Sequence, residues 1–142
     1  MTIKDFLRGA LLLRDPELNE RLIPLVQVKH LKKDQLLIRE GDTQINVYFL
    51  MEGVLRGFFI DGEGHDITDC FCAHCGQAAM SCLSLDTPSP ISIEAVTESD
   101  ILCIPVAVAM PLLQTELPLI HMYNRMLLAA LSAPWEQKTL KY

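Results

Sequence analysis

The hydrophobic pattern of this chain changes period twice, so no single type of secondary structure can accommodate it. Near the start Phe6, Leu7, Ala10 and Leu11, then Leu18, Leu22, Leu25 and Val26, recur at helical spacing and predict short helices over residues 1–33. From Gln35 onward, short runs rich in Ile, Val, Phe and Leu alternate with turn residues every eight to twelve positions, as in an antiparallel sandwich or barrel. Strands are predicted near Leu36–Arg39, Asn46–Glu52, Val54–Asp61, Asp66–Phe71, Ile91–Thr97 and Asp100–Val106. From about Val106 the pattern is helical again. The expected fold is therefore mainly β with flanking helices, in one domain over residues 1–142: helices over 1–33, a β-roll over 34–108 and helices over 109–142.

Turn and cap chemistry supports these boundaries. Asp15-Pro16 fits a helix start, with Asp as N-cap, Pro at the first position and Glu17 in the favourable first turn. Gly41, Gly53, Gly62 and Gly64 punctuate the strand region where turns need conformations that a Cβ resists. Pro24 is expected to end or kink the second helix, and Pro111, Pro118 and Pro134 to break or bend the last ones.

The charge is unevenly spread. Residues 1–33 carry seven basic and four acidic groups, a sum of +3; residues 34–108 carry Arg39 and Arg56 against twelve acids, a sum of −10; residues 109–142 sum to +1. Phosphate backbones are bound by clustered Lys and Arg, so direct nucleic-acid contact by the acidic middle is not expected. Apolar residues make up 50% of the chain, enough for a core, yet no run approaches the roughly twenty apolar residues of a membrane helix. The start, with acidic Asp5, lacks a signal-peptide core; a cytoplasmic protein without membrane contact is expected.

Between Pro118 and Pro134 the sequence is apolar nearly all round, which demands burial on every side. Leu119, Tyr123, Met126, Ala130 and Ala133 follow coiled-coil spacing and are predicted to face a second copy of the chain, with Ile120, Leu127 and Leu131 covering the roll. A helix simply buried in a monomer is the alternative.

A helical start, a roll turning on Arg39-Glu40-Gly41-Asp42 and Met51-Glu52-Gly53, the turn Asp61-Gly62-Glu63-Gly64, the stretch Ser89-Pro90-Ile91-Ser92-Ile93-Glu94-Ala95-Val96-Thr97, and a long apolar helix together resemble the effector domain of the Crp/Fnr transcription regulators. The resemblance spans essentially the whole chain. It implies a cyclic nucleotide-binding-type double-stranded β-helix, or jelly roll, and a homodimer made through the C-terminal helix. It also implies a helix-turn-helix DNA-binding domain, absent from these residues, so the chain is expected to be the sensor part of a longer regulator that meets DNA only through that domain, with a one-domain sensor acting on a partner protein as the alternative.

In relatives that bind cyclic nucleotides, the resemblance implies a Gly-Glu for the ribose and, about ten residues on, an Arg for the cyclic phosphate, since a buried anion needs a bidentate cation. Counting back from Glu94-Ala95, the Glu position falls on Ala79 and the Arg position on or near Ser89; a register that matches Gly76-Gln77 instead recovers a hydrogen-bonding Gln but still no Arg, and between Arg56 and Lys138 the only Lys or Arg is Arg125. The candidate ligand-binding set is Gly76, Gln77, Ala78, Ala79, Met80, Ser81, Ser89, Pro90, Ile91 and Ser92, a neutral and partly apolar lining suited to a small effector other than cyclic AMP and its kin. A roll that fills its own pocket and serves only for dimerisation is the alternative.

Five cysteines, an odd number, do not form a disulfide framework. Cys70, Cys72, His74 and Cys75 are candidate metal or redox ligands, with Cys70 and Cys72 expected on one strand face. The paired C-x2-C knuckles of a closed metal site are missing, so no metal is assigned and the cofactor is left unknown. A cupin-like metalloenzyme would need a His-x-His pair, which does not occur; the chain is not expected to be an enzyme.

Overall fold

The computed structural model describes residues 1–80 and 87–141, with side chains described as far as Ala129. Two short helices, α1 (Ile3–Gly9) and α2 (Pro16–Leu22), lead through a 3-10 turn (Ile23–Leu25) into seven strands: β1 (Gln27–Leu31), β2 (Leu36–Ile38), β3 (Asn46–Glu52), β4 (Leu55–Ile60), β5 (Asp66–Cys72), β6 (Ser92–Ala95) and β7 (Ser99–Pro105). Helices α3 (Val106–Thr115) and α4 (Leu117–Lys141) follow. The strands form two antiparallel sheets, a three-stranded one in the order β1-β7-β3 and a four-stranded one in the order β2-β6-β4-β5.

Because side chains alternate across a strand, β3 and β7 serve two cores at once. Tyr48, Leu50, Ile101 and Cys103 point into the roll, where they meet Leu31 of β1 in the same sheet and Leu37, Leu55, Ile91 and Ile93 from the opposite wall. Val47, Phe49, Leu102 and Ile104 point outward and are covered by Phe6 and Leu7 of α1, Leu18 and Leu22 of α2, and Leu119 and Met122 of α4. The three-stranded sheet is thus the partition between an all-β core and a mixed helical core.

Local chemistry explains the elements around that partition. The Asp15 carboxylate accepts from the Glu17 and Leu18 amides at 3.0 and 3.3 Å with Pro16 at the first helical position, as the sequence predicts. Pro24 sits in the 3-10 turn that stops α2 from continuing. At the β3–β4 turn Gly53 has φ +109°, and a Cβ there would run into Ser99 Oγ and the Glu98 carbonyl, so the close approach of two chain segments requires glycine.

Three expectations need correction. Residues 1–33 are not helical throughout, because Gln27–Leu31 is a strand paired along its whole length with β7. Pro111 does not break α3; the helices separate at Glu116, and Pro118 lies in the first turn of α4, where its missing N–H costs nothing. The seam assigned to a second copy turns inward: Leu119 is 5% exposed in the helical core, and Met126 packs against that core. Tyr123 lines a cavity beside it, and the Ala130 side chain lies outside the described residues. Among the described side chains of α4, the large apolar ones turned outward are Leu117 and Leu128, 60% and 65% exposed. The reason is that α3 and α4 fold back onto β3 and β7, whose outer face needs covering.

Phe49, 1% exposed, stands at the centre of the helical core. Phe49→Ala is expected to lower the unfolding free energy by about 3–5 kcal/mol, read as a lower urea midpoint at unchanged m-value.

Candidate functional site

The loop after β5 carries most of the predicted pocket residues, and its backbone decides where they point. Gly76 N–H donates to the Leu50 carbonyl at 2.7 Å, Leu50 N–H to Gln77 at 2.9 Å and Ala79 N–H to Tyr48 at 2.9 Å, with an antiparallel bridge between Phe49 and Ala78. Residues 76–79 therefore pair with the free edge of β3. Strand alternation then sends Ala79, 3% exposed, into the roll, and Ala78 to the helical side. Gly76 takes φ +88° and lies within 3.0–3.4 Å, measured from where its Cβ would stand, of Ala10 at the end of α1.

This placement divides the predicted set. Gly76, Gln77, Ala78 and Met80 line a cavity of about 550 Å3 between the loop, the end of α1 and α4. A second cavity of about 410 Å3, between the outer face of β3 and β7 and helices α3 and α4, is walled by residues such as Phe49, Ile104, Leu113 and Leu119 and also touches Met80. Both lie outside the roll. Ala79 and Ile91 instead help to fill the interior of the roll. Ser89 and Ser92 are buried at 2% and 8%, and their hydroxyls are spent on backbone, Ser89 donating to the Ile91 carbonyl and Ser92 accepting from the Glu40 amide at 2.9 Å. Pro90 is exposed, and Ser81 lies outside the described residues. Gln77 holds its own loop, its side-chain oxygen accepting from the Ala73 and His74 amides at 3.1 and 3.2 Å.

No charged side chain is buried in the roll among the described residues. Arg56, the cation nearest to it in sequence, faces out from β4. Its guanidinium forks onto Asp66 at 2.9 and 3.0 Å, meets Glu94 at 2.7 and 3.0 Å and Thr68 at 3.0 Å, and lies 4.4 Å from the Phe58 ring centroid. With all its donors engaged, its pKa is raised, chiefly by the Asp66 hydrogen bond. Ala79 and Ser89, where cyclic nucleotide relatives are expected to carry Glu and Arg, offer no charge.

The cysteines also separate. Cys70 and Cys72 lie on one face of β5, as predicted, but Cys72 is buried in the roll and Cys70 is exposed. Burial pushes the Cys72 thiol up to about 12, with neighbouring Cys70 adding to the shift, and burial also raises Cys70 and Cys103. His74 and Cys75 sit exposed in the turn. Among the described residues no three His, Cys, Asp or Glu side chains converge to hold a metal ion.

Two antiparallel sheets closed into a roll, helices before and after, and a post-β5 loop laid along β3 define a β-roll of the cyclic nucleotide-binding type. The chain belongs to the cyclic nucleotide-binding domain family, which residues 28–116 match. Its fold is similar to the sensor domain of the transcriptional regulator DNR from Pseudomonas aeruginosa, at 18% identity and TM-score 0.73, covering 98% of this chain and 92% of that one. It is also similar to a transcriptional regulator from Thermotoga maritima, at 21% identity and TM-score 0.70, covering 85% and 95%. The catabolite activator protein of Thermus thermophilus matches at 18% identity and TM-score 0.71, over 96% of this chain but 62% of its own, so the chain spans about three fifths of that regulator. No curated protein matches in sequence.

A thiol reagent is expected to modify Cys70 and Cys75 in the folded protein well before Cys72 and Cys103, read by mass spectrometry of labelled peptides. With the folded Cys72 pKa near 12 against an ordinary 9.0, the folded state holds its proton more tightly. The stability from this group is fully present below pH 9 and lost as pH rises from 9 toward 12; Cys72→Ala is expected to flatten that alkaline loss in urea melts.

Proposed function

We propose that this chain is the ligand-sensing and dimerisation domain of a Crp/Fnr-type transcription regulator, and that its effector is a small molecule other than a cyclic nucleotide. The observation that carries this reading is the interior of the roll. A cyclic phosphate buried there needs an arginine, and the position expected to supply it holds Ser89, whose hydroxyl is already bonded to Ile91, while the position expected to take the ribose holds a buried Ala79. The −10 charge over residues 34–108 adds a repulsive field. The family fold and the two cavities beside α4 support a binding role that needs no catalysis.

In this reading, the effector sits between the loop at residues 76–80 and α4, and it regulates by binding one position of α4 better than another. DNA is reached only through a separate domain attached beyond this one. The dimer contact is the exposed flank of α4 and α3 around Leu117, Leu128 and Met110, apolar residues that a single copy leaves largely in contact with solvent. Among the described residues no helix is long and apolar enough to cross a membrane, in keeping with a regulator that works in the cytoplasm.

Two measurements test this. Calorimetric titration with cyclic AMP is expected to show no binding up to about 1 mM; a micromolar Kd overturns the reading. Native mass spectrometry is expected to show a dimer, and Leu128→Glu to weaken it by more than about tenfold, because a charge would be buried without a partner. A wild-type monomer removes the dimerisation role.

A further inference from the structure

The two cavities beside α4 are neighbours, separated only by the side chains of Met80, Met122 and Met126, which line both. They differ in chemistry. The inner chamber, about 410 Å3, is hydrocarbon from Phe49, Ile104, Leu113 and Leu119, relieved chiefly by Tyr123. The outer chamber, about 550 Å3, adds His74, Gln77 and Arg125. Each volume lies in the range that small-molecule sites occupy, and the unbranched thioether side chains at their junction adapt readily to a guest.

Arg125 is the cation at this junction of apolar and polar walls. Its guanidinium donates to the Leu11 carbonyl at 3.4 Å, a long contact, and it is absent from the ion pairs of the described residues, which use Arg21, His30, Arg56 and His65. A hollow of about 280 Å3 on its far side brings Arg14 and His121, together with Asp15, whose carboxylate is occupied capping α2. The charged side chains that line these hollows are Arg14, Asp15 and Arg125, with His74 and His121 beside them, so the local balance is positive. An anion repelled by the roll is therefore accepted here, and its hydrocarbon has an apolar chamber to enter.

We infer that the crevice binds a medium-chain aliphatic carboxylate, with the chain in the inner chamber and the carboxylate on Arg125. Burial of the chain supplies most of the affinity and the guanidinium sets its direction and head-group preference. The ligand class rests on the reading of this domain as an effector sensor, and it names the effector chemistry that such a sensor would read through α4.

The test is calorimetric titration of the full 142-residue chain with decanoate, with 1-decanol as the uncharged control and cyclic AMP as the family's usual ligand. Decanoate is expected to bind one per chain, about tenfold or more tighter than 1-decanol. Arg125→Gln, an exposed position where folding is not at stake, is expected to abolish that preference while leaving 1-decanol unchanged. Ala109→Phe, which fills the inner chamber, is expected to weaken both ligands. Equal binding of decanoate and 1-decanol, or a preference that survives Arg125→Gln, overturns the inference. So does silence of decanoate; if cyclic AMP is silent as well, only the ligand class named here falls, whereas cyclic AMP binding also removes the sensor reading beneath it.

Discussion

Strands β3 and β7 are apolar on both faces, and the rest of the molecule is arranged to bury both of them. Tyr48, Leu50, Ile101 and Cys103 close the inside of the roll, while Val47, Phe49, Leu102 and Ile104 leave the outside in need of a lid. The amphipathic helices α1 and α2 cover part of that outer face, and α3 and α4 fold back to cover the remainder. The crevice exists because the lid is made of helices, whose surfaces do not match a twisted sheet everywhere.

Electrostatics divides the molecule along the same wall. The roll carries the acids, and its Arg56 is consumed on the outer sheet by Asp66, Glu94 and Thr68. The helical side carries the surplus of basic groups, with Arg125 at the edge of the crevice. Among the described residues Ala79, Ile91 and Ile93 pack inside the roll, and two cavities lie on the other face of the partition. That placement also explains why the neutral lining read from the loop is only half of the candidate site: its other half comes from α4, some fifty residues further along the chain.

Much of the fold was legible because local chemistry and period agree. The Asp15-Pro16 cap, the Asn46–Glu52 strand and the glycine turns are each encoded within a few neighbouring residues. Strand β1 was not legible, since Gln27, Val28, Lys29 and His30 are all exposed and show no alternation; only pairing with β7 makes them a strand. The inward turn of Leu119 was misread for a related reason. A helix apolar on every side does not say which face meets its own chain, and the geometry of β3 and β7 decides it.

From the residues alone come the succession of helices, strands and helices apart from β1, the acidic roll between basic ends and the lack of an arginine in the segment expected to meet a cyclic phosphate. These are properties of composition and short spacing, which do not depend on long-range contacts. Tertiary structure alone decided that residues 76–79 would lie along β3, that Ala79 and Ile91 would plug the roll, and that Arg125 would stand opposite Gln77 and His74 across a crevice. The physical reason is that a one-residue change in which backbone group pairs with β3 exchanges the two faces of the loop, and nothing within the loop's own sequence sets that register.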